Sequence, residues 1–129
     1  MKRYYKEATN VTPLVEFDPK TGVFLMEGKS MPEDVASFYL PLIEWWEGYA
    51  KSPNSSTEVE LKLTYFNTAS SKYLLDLLFK LQHIHEDVGG VAARWYYQEE
   101  DESMEDAGEA YQGIVHIPFE MIVVEVDEE

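Results

Sequence analysis

The sequence contains no cysteine, which excludes disulfides, thiolate zinc sites and a cysteine nucleophile. Basic residues are scarce: ten Lys and Arg stand against twenty-five Asp and Glu, a formal net charge of −15. Affinity for phosphate backbones and anionic lipid rests on cations. The balance therefore counts against nucleic acid and membrane as partners and favours proteins with basic docking faces. No uninterrupted apolar run approaches the ~20 residues of a membrane span. The basic start, Met1-Lys2-Arg3-Tyr4-Tyr5-Lys6-Glu7, lacks the apolar stretch of a secretory signal, so a cytoplasmic protein is expected. Asn67 to Lys72 lacks the glycines of a Walker motif, which argues against ATP binding by this chain.

What is present suits a packed core. The 129 residues are 45% hydrophobic and 14% aromatic, consistent with one domain over residues 1–129 that buries roughly two-thirds of the surface its unfolded chain exposes. Leu14-Val15-Glu16-Phe17 reads as a strand, Asp18 to Gly22 as a turn, and Val23 to Glu27 as the hairpin partner. Asp18-Pro19 is read as turn-forming rather than as acid–base machinery with Glu16. Ser30-Met31-Pro32-Glu33 fits a capping box, opening a helix whose stripe is Val35, Phe38, Tyr39, Leu42, Ile43, Trp46 and Tyr49. Pro41 is expected to kink or divide that helix. Trp45 diverges from Trp46 by about 100°; packing is the favoured reading, an exposed partner hot spot the other. Lys51 to Ser56 is a polar surface loop.

A strand from about Glu58 to Phe66 follows, with Val59, Leu61, Leu63 and Tyr65 alternating against Glu60, Lys62 and Thr64. Leu74, Leu75, Leu77, Leu78 and Leu81 mark the next helix, ending near Asp87, where Gly89-Gly90 permits a stop. Val91 to Tyr97 is another strand, in which Tyr96 or Tyr97 points away from the side that holds Trp95. Glu99 to Glu109 holds seven acids in eleven positions and room for a short helix. A last strand lies within Phe119 to Val126. The fold class is α/β (α+β): a mixed central sheet of about five strands with helices packed on it.

The most informative stretch is Tyr65-Phe66-Asn67-Thr68-Ala69-Ser70-Ser71-Lys72, where hydroxyls crowd the junction between strand and helix. Asn67, Thr68, Ser70 and Ser71 favour a helix N-terminus. A hydroxyl there lies beside unpaired N–H groups and the positive end of the helix dipole, a setting that tolerates an anion. Local sequence alone reads this as a helix cap.

Ala8 through Pro19, Gly28-Lys29-Ser30-Met31-Pro32-Glu33, Phe38-Tyr39-Leu40-Pro41 and Tyr65 through Lys72 resemble the SiaC-type regulatory phosphoproteins. Trp95-Tyr96-Tyr97 through Asp101, Met104, Glu105, Gly108 and Glu109, then Pro118-Phe119-Glu120, continue the likeness over nearly the whole chain. The resemblance implies a STAS-like fold, similar to anti-sigma-factor antagonists, and control by partner switching. A cognate serine/threonine kinase phosphorylates one threonine and a PP2C-type phosphatase removes the phosphate. The unphosphorylated form binds and activates a diguanylate cyclase, raising cyclic di-GMP and favouring biofilm or aggregation. The family's phosphorylated threonine falls on Thr68, with Ser70 and Ser71 as competitors. Ala69 stands where serine is usual, which leaves the threonine intact and sharpens the assignment to Thr68; Lys29 and Met31 also depart from the commoner residues. The partner-binding residues so implied are Asn67, Thr68, Ser70, Ser71, Lys72, Asp101, Glu105 and Glu109.

The acidic segment has three readings: a solvated face, a face that meets basic residues of kinase or cyclase, or a Mg²⁺ or Ca²⁺ site. It lacks the glycine and ligand spacing of an EF-hand loop. His83 and His85, two apart on a helix, point in widely different directions, and His116 stands alone; all three read as ordinary histidines. No cofactor or metal is implied. The rival function is a small divalent-metal-dependent enzyme using carboxylates of the 99–109 segment, such as Asp101 and Glu105. No nucleophile–base pair can be assembled for it, so the chain reads as non-catalytic.

Overall fold

Strands and helices alternate along the chain as β1 (Tyr4–Lys6), β2 (Leu14–Asp18), β3 (Val23–Ser30), α1 (Val35–Tyr49), β4 (Thr57–Phe66), α2 (Thr68–Val88), β5 (Val91–Gln98), α3 (Glu102–Ile114) and β6 (Phe119–Val124). This computed structural model describes residues 1–125, so the Val126 end of the last expected strand lies outside the described residues. One sheet runs β1-β2-β3-β4-β5-β6, its spatial order the chain order. The β1–β2 and β2–β3 pairs are antiparallel; β3–β4, β4–β5 and β5–β6 are parallel.

Parallel neighbours need a crossover, and crossovers share one hand. With each new strand added on the same side, all three helices fall on one face of the sheet. Burial agrees. Val15, Phe17, Phe24, Met26, Val59, Leu61, Val91, Ala93 and Trp95 are buried, while Glu16, Leu25, Glu60, Arg94 and Tyr96, on the alternate positions, are half-exposed. Trp95 and Tyr97 thus turn toward the helices and Tyr96 toward the open face.

The mixed sheet was expected with about five strands; β1 is the sixth. Three residues, Tyr4 to Lys6, preceded by Lys2 and Arg3, are too short to show alternation. Tertiary contacts fix them: the Tyr4 ring lies 6.3 Å from that of Phe17, and the Arg3 guanidinium grips Glu16 at 2.7 and 2.8 Å. The same segment covers Trp45, whose indole N–H donates to the Lys2 carbonyl at 2.8 Å. Trp45 stacks on Tyr49 with centroids 5.3 Å apart and joins Trp46, Phe17 and Phe24 in the core. Both tryptophans are buried.

Two expectations about α1 are corrected. The capping residue is Asp34, whose carboxylate accepts the Ser37 N–H at 3.1 Å and the Ser37 hydroxyl at 2.7 Å, bonds that hold its pKa below the ordinary value. Ser30 cannot cap, because β3 runs through it and its hydroxyl is buried. Pro41 does not divide the helix, which runs unbroken from Val35 to Tyr49. A proline costs the helix one hydrogen bond, but Phe38 and Tyr39 before it and Leu42, Trp45 and Trp46 after it enter one core. That packing holds both halves on one core.

α2 ends as the glycines require: Gly89 adopts φ +75° and its N–H returns to the His85 carbonyl at 2.8 Å. Gly108 serves another purpose. A Cβ built on it would stand 2.5 Å from Trp95 Cδ1 and 2.7 Å from Met121 Cε, so α3 settles onto the sheet only where it has no side chain.

Candidate functional site

The site begins with a register shift. Gly28 of β3 faces Leu63 of β4, yet Lys29 faces Tyr65, leaving Thr64 as an extra residue. Gly28 has φ +122°, a conformation glycine alone adopts readily. A one-residue bulge exchanges inside for outside along the rest of a strand. Tyr65, expected on the buried face with Leu63, is instead 50% exposed. Phe66 turns inward, its ring 6.0 Å from that of Trp95.

The bulge sets the phase of the α2 N-terminus. Asn67 is the cap, its side-chain oxygen accepting the Ser70 N–H at 2.9 Å, while its own N–H donates to the Ser30 carbonyl at 3.0 Å. Thr68 is the first helical residue and exposed. Among the described residues its hydroxyl takes part in no hydrogen bond. Lys72, also exposed, lies one turn on, at the spacing that places two side chains on one face.

The competing serines are differently placed. Ser70 is fully buried, and its hydroxyl donates to the Ser30 carbonyl at 3.0 Å. The Ser30 hydroxyl donates to Ser70 Oγ at 2.9 Å and lies 2.5 Å from Tyr39 Oη. Burial pushes the Tyr39 phenol above its ordinary pKa, against the opposing effect of its serine partners. Ser71 is half-buried, its hydroxyl donating back to the Thr68 carbonyl at 2.6 Å. Tyr111 reaches over from α3 to donate to the Ser71 carbonyl at 2.8 Å. Thr68 is therefore the free, exposed hydroxyl, and Ser70 is sealed beneath it.

Asp101 occupies the same rim, the carboxyl ends of the parallel strands, one strand–helix unit along. It caps α3, accepting the Met104 N–H at 3.1 Å. Glu105, in the first turn, accepts a 3.3 Å hydrogen bond from Tyr97 Oη, whose pKa is raised by burial and then by this carboxylate. Glu109 is exposed on the next turn. The acidic segment is thus a genuine helix, with acids where the macrodipole favours them. Among the described residues, no three His, Asp or Glu side chains gather as metal ligands would. His85 Nδ1 accepts the Val91 N–H at 3.2 Å, a structural role.

Residues 6–124 match the family described as SiaC family regulatory phosphoprotein. The chain belongs to the SiaC family. A protein of Pseudomonas aeruginosa (strain UCBPP-PA14), itself uncharacterized, is 30% identical over 111 residues, 86% of this chain and 88% of that one. Apo-SiaC of P. aeruginosa superposes with a TM-score of 0.85 at 27% identity, covering 95% of this chain and 99% of its own. SiaC in complex with the diguanylate cyclase SiaD, whose activator it is, gives 0.86 at 27% identity, covering 94% and 99%.

In this member of the SiaC family two rim features escaped the sequence reading. One is Tyr65, an exposed aromatic three residues before Thr68, hidden by the bulge. The other is a cleft of about 480 Å³ bordered by Lys62, Thr64, Tyr96, Gln98 and Asp101. It opens because β4–β5 pairing ends at Leu61 and Trp95 while both strands run on. Only a departure from strict pairing could have revealed either. No helix among the described residues is long and apolar enough to cross a membrane.

Proposed function

We propose that the whole chain, residues 1–129, is one SiaC-type domain acting as a non-catalytic switch, with Thr68 as its phosphoacceptor. A cognate serine/threonine kinase adds the phosphate and a PP2C-type phosphatase removes it. The unphosphorylated form binds and activates a diguanylate cyclase in the cytoplasm, as SiaC is found in complex with SiaD. The observation that carries this reading is the sorting of hydroxyls at the α2 N-terminus: Thr68 exposed and unbonded, Ser70 buried, Ser71 tied back to the helix.

The chemistry fits a switch. Phosphorylation adds about −1.5 to −2 charge and three acceptor oxygens. At the first turn of a 21-residue helix the dipole offsets about 0.3–1 kcal/mol of that, and Lys72 stands at pairing distance in sequence, so the fold tolerates the modification. A partner interface closed over a neutral Thr68 does not. Burying an uncompensated charge there costs about 3–5 kcal/mol, roughly a hundred- to thousand-fold in affinity. Asn67, Tyr65 and Lys72 border the contact, and Asp101, Glu105 and Glu109 supply an acidic flank for a basic partner surface.

Intact-mass measurement and phosphopeptide mapping of protein isolated from its native cells test the assignment. One phosphoryl group on Thr68 supports it. Phosphate on Ser71 moves the site. Unmodified protein under all growth conditions, with no transfer from neighbouring kinases in vitro, defeats it.

A further inference from the structure

The two edges of the sheet are built differently. β1 is three residues long and set among Lys2, Arg3 and Lys6, the usual guards against edge-to-edge pairing. β6 is six residues, Phe119-Glu120-Met121-Ile122-Val123-Val124. It carries no proline and no lysine, and Val123 and Val124 are 47% and 41% exposed.

The phase of its backbone follows from one bond. Ala93 is in register with Phe119 and its N–H donates to the Pro118 carbonyl at 2.9 Å. In a parallel ladder this turns the backbone groups of Glu120, Ile122 and Val124 toward β5 and those of Phe119, Met121 and Val123 outward. The outward Phe119 carbonyl is taken by the Gln112 side chain at 2.9 Å. Among the described residues, no hydrogen-bond partner lies on the outer side of Met121 or Val123. Buried or not, such groups are strong donors and acceptors, and a row of them is a template for another strand.

Charge tells which strand. Glu105, Glu109 and Gln112 are spaced i, i+4, i+7 and share one face of α3. Since Gln112 reaches the outer edge of β6, that face brings the exposed Glu109 beside the edge, with Glu105 turned to Tyr97 Oη at 3.3 Å. Glu120 of β6, which also pairs with Arg94 at 3.5 Å, and Glu125 just beyond the strand add two more. A second copy of this chain would bring another −15 of charge against the same acids. We propose that the outer edge of β6 receives an extended segment of another protein, its apolar residues alternating with Lys or Arg, by strand addition through Met121 and Val123. This contact borders the acidic flank proposed beside Thr68, but its backbone pairing through Met121 and Val123 involves neither Thr68 nor its modification.

The test uses the full-length protein and an acetylated hexapeptide of alternating lysine and valine. Backbone amide exchange by NMR is expected to show the Met121 and Val123 amides exchanging fast in the free protein and slowed by the peptide, with binding weakened by salt. Val123→Pro removes an outward N–H, which an edge strand tolerates, and is expected to weaken peptide binding by about tenfold while thermal unfolding stays cooperative. Peptide binding that leaves Met121 and Val123 exchange unchanged overturns the proposal, whatever becomes of the proline variant. So does slow exchange of those amides in the free protein together with a concentration-dependent dimer in sedimentation, which would assign the edge to a second copy. A Thr68 that proves unmodified would leave this experiment's outcome untouched.

Discussion

Ser30 and Ser70 exchange two hydrogen bonds across forty residues of sequence: Ser30 Oγ donates to Ser70 Oγ at 2.9 Å, and Ser70 Oγ donates to the Ser30 carbonyl at 3.0 Å. With Tyr39 they lock the end of β3, the first turns of α1 and the start of α2 into one buried polar knot. Removing one hydroxyl leaves a buried partner unsatisfied, which costs about 1–3 kcal/mol. Ser70→Ala is expected to lower stability by that amount in denaturant titration. A double-mutant cycle with Ser30→Ala should show the two effects adding to less than their sum, since both remove the same contact.

Thr68 and Tyr65 should behave in the opposite way. Both are exposed, so Thr68→Ala and Tyr65→Ala are expected to leave stability within about 0.5 kcal/mol of the parent, as surface changes do. Their effect belongs in binding. Thr68→Ala should retain effector binding and resist phosphorylation, Thr68→Asp should weaken binding, and Tyr65→Ala should weaken it by about 2 kcal/mol or more if the ring is an interface anchor. Calorimetric titration against the proposed diguanylate cyclase effector separates these cases; tight binding by the phosphorylated protein would remove the switch.

Much of this was legible in the sequence. Period-2 and helical spacing place the elements from Leu14 to the last strand, and hydroxyls at a strand–helix junction mark the α2 cap. What local pattern could not carry depends on distant partners. β1 exists because Glu16 and Phe17 hold it. Ser30 looks like a helix cap until Ser70 and Tyr39 claim its hydroxyl. Tyr65 obeys the strand alternation on paper, and the bulge at Thr64 turns it outward. The resemblance ranks Thr68 over Ser70 already, but local pattern does not: the four neighbouring polar residues look alike until packing buries Ser70 and leaves Thr68 exposed.

Gly108→Ala reverses the ordinary helix rule. In an exposed helix interior the change is favourable by roughly 0.5–1 kcal/mol. Here the new methyl meets the Trp95 ring and Met121, and overpacking costs typically about 1–3 kcal/mol. A lowered thermal midpoint with a changed near-ultraviolet tryptophan signal is expected; a raised midpoint would show that α3 can lift away freely.

Alkaline pH should unfold the protein through its buried phenols. Burial raises the pKa of Tyr39 and Tyr111 above the ordinary value. The neutral forms favour the native state, so their contribution is complete below the unfolded pKa of ~10 and lost as pH rises through the folded values. Circular dichroism from neutral to strongly alkaline pH should show a cooperative transition beginning near pH ~10. Tyr39→Phe should shift that onset to higher pH relative to its own neutral-pH stability. An onset that does not respond to the substitution would assign the transition to other groups.

Strand order that repeats chain order also means that the sheet can be laid down in the direction of synthesis. The β1–β2–β3 meander pairs without any later strand, its apolar face closing on Trp45 and Trp46 of α1, and each following helix–strand unit docks onto the strand just completed. No strand must wait to be inserted between two others. The growing end is an open edge at every stage, accepting the next strand as it leaves the ribosome. β6 is the last strand among the described residues, and its outer side is that same accepting edge.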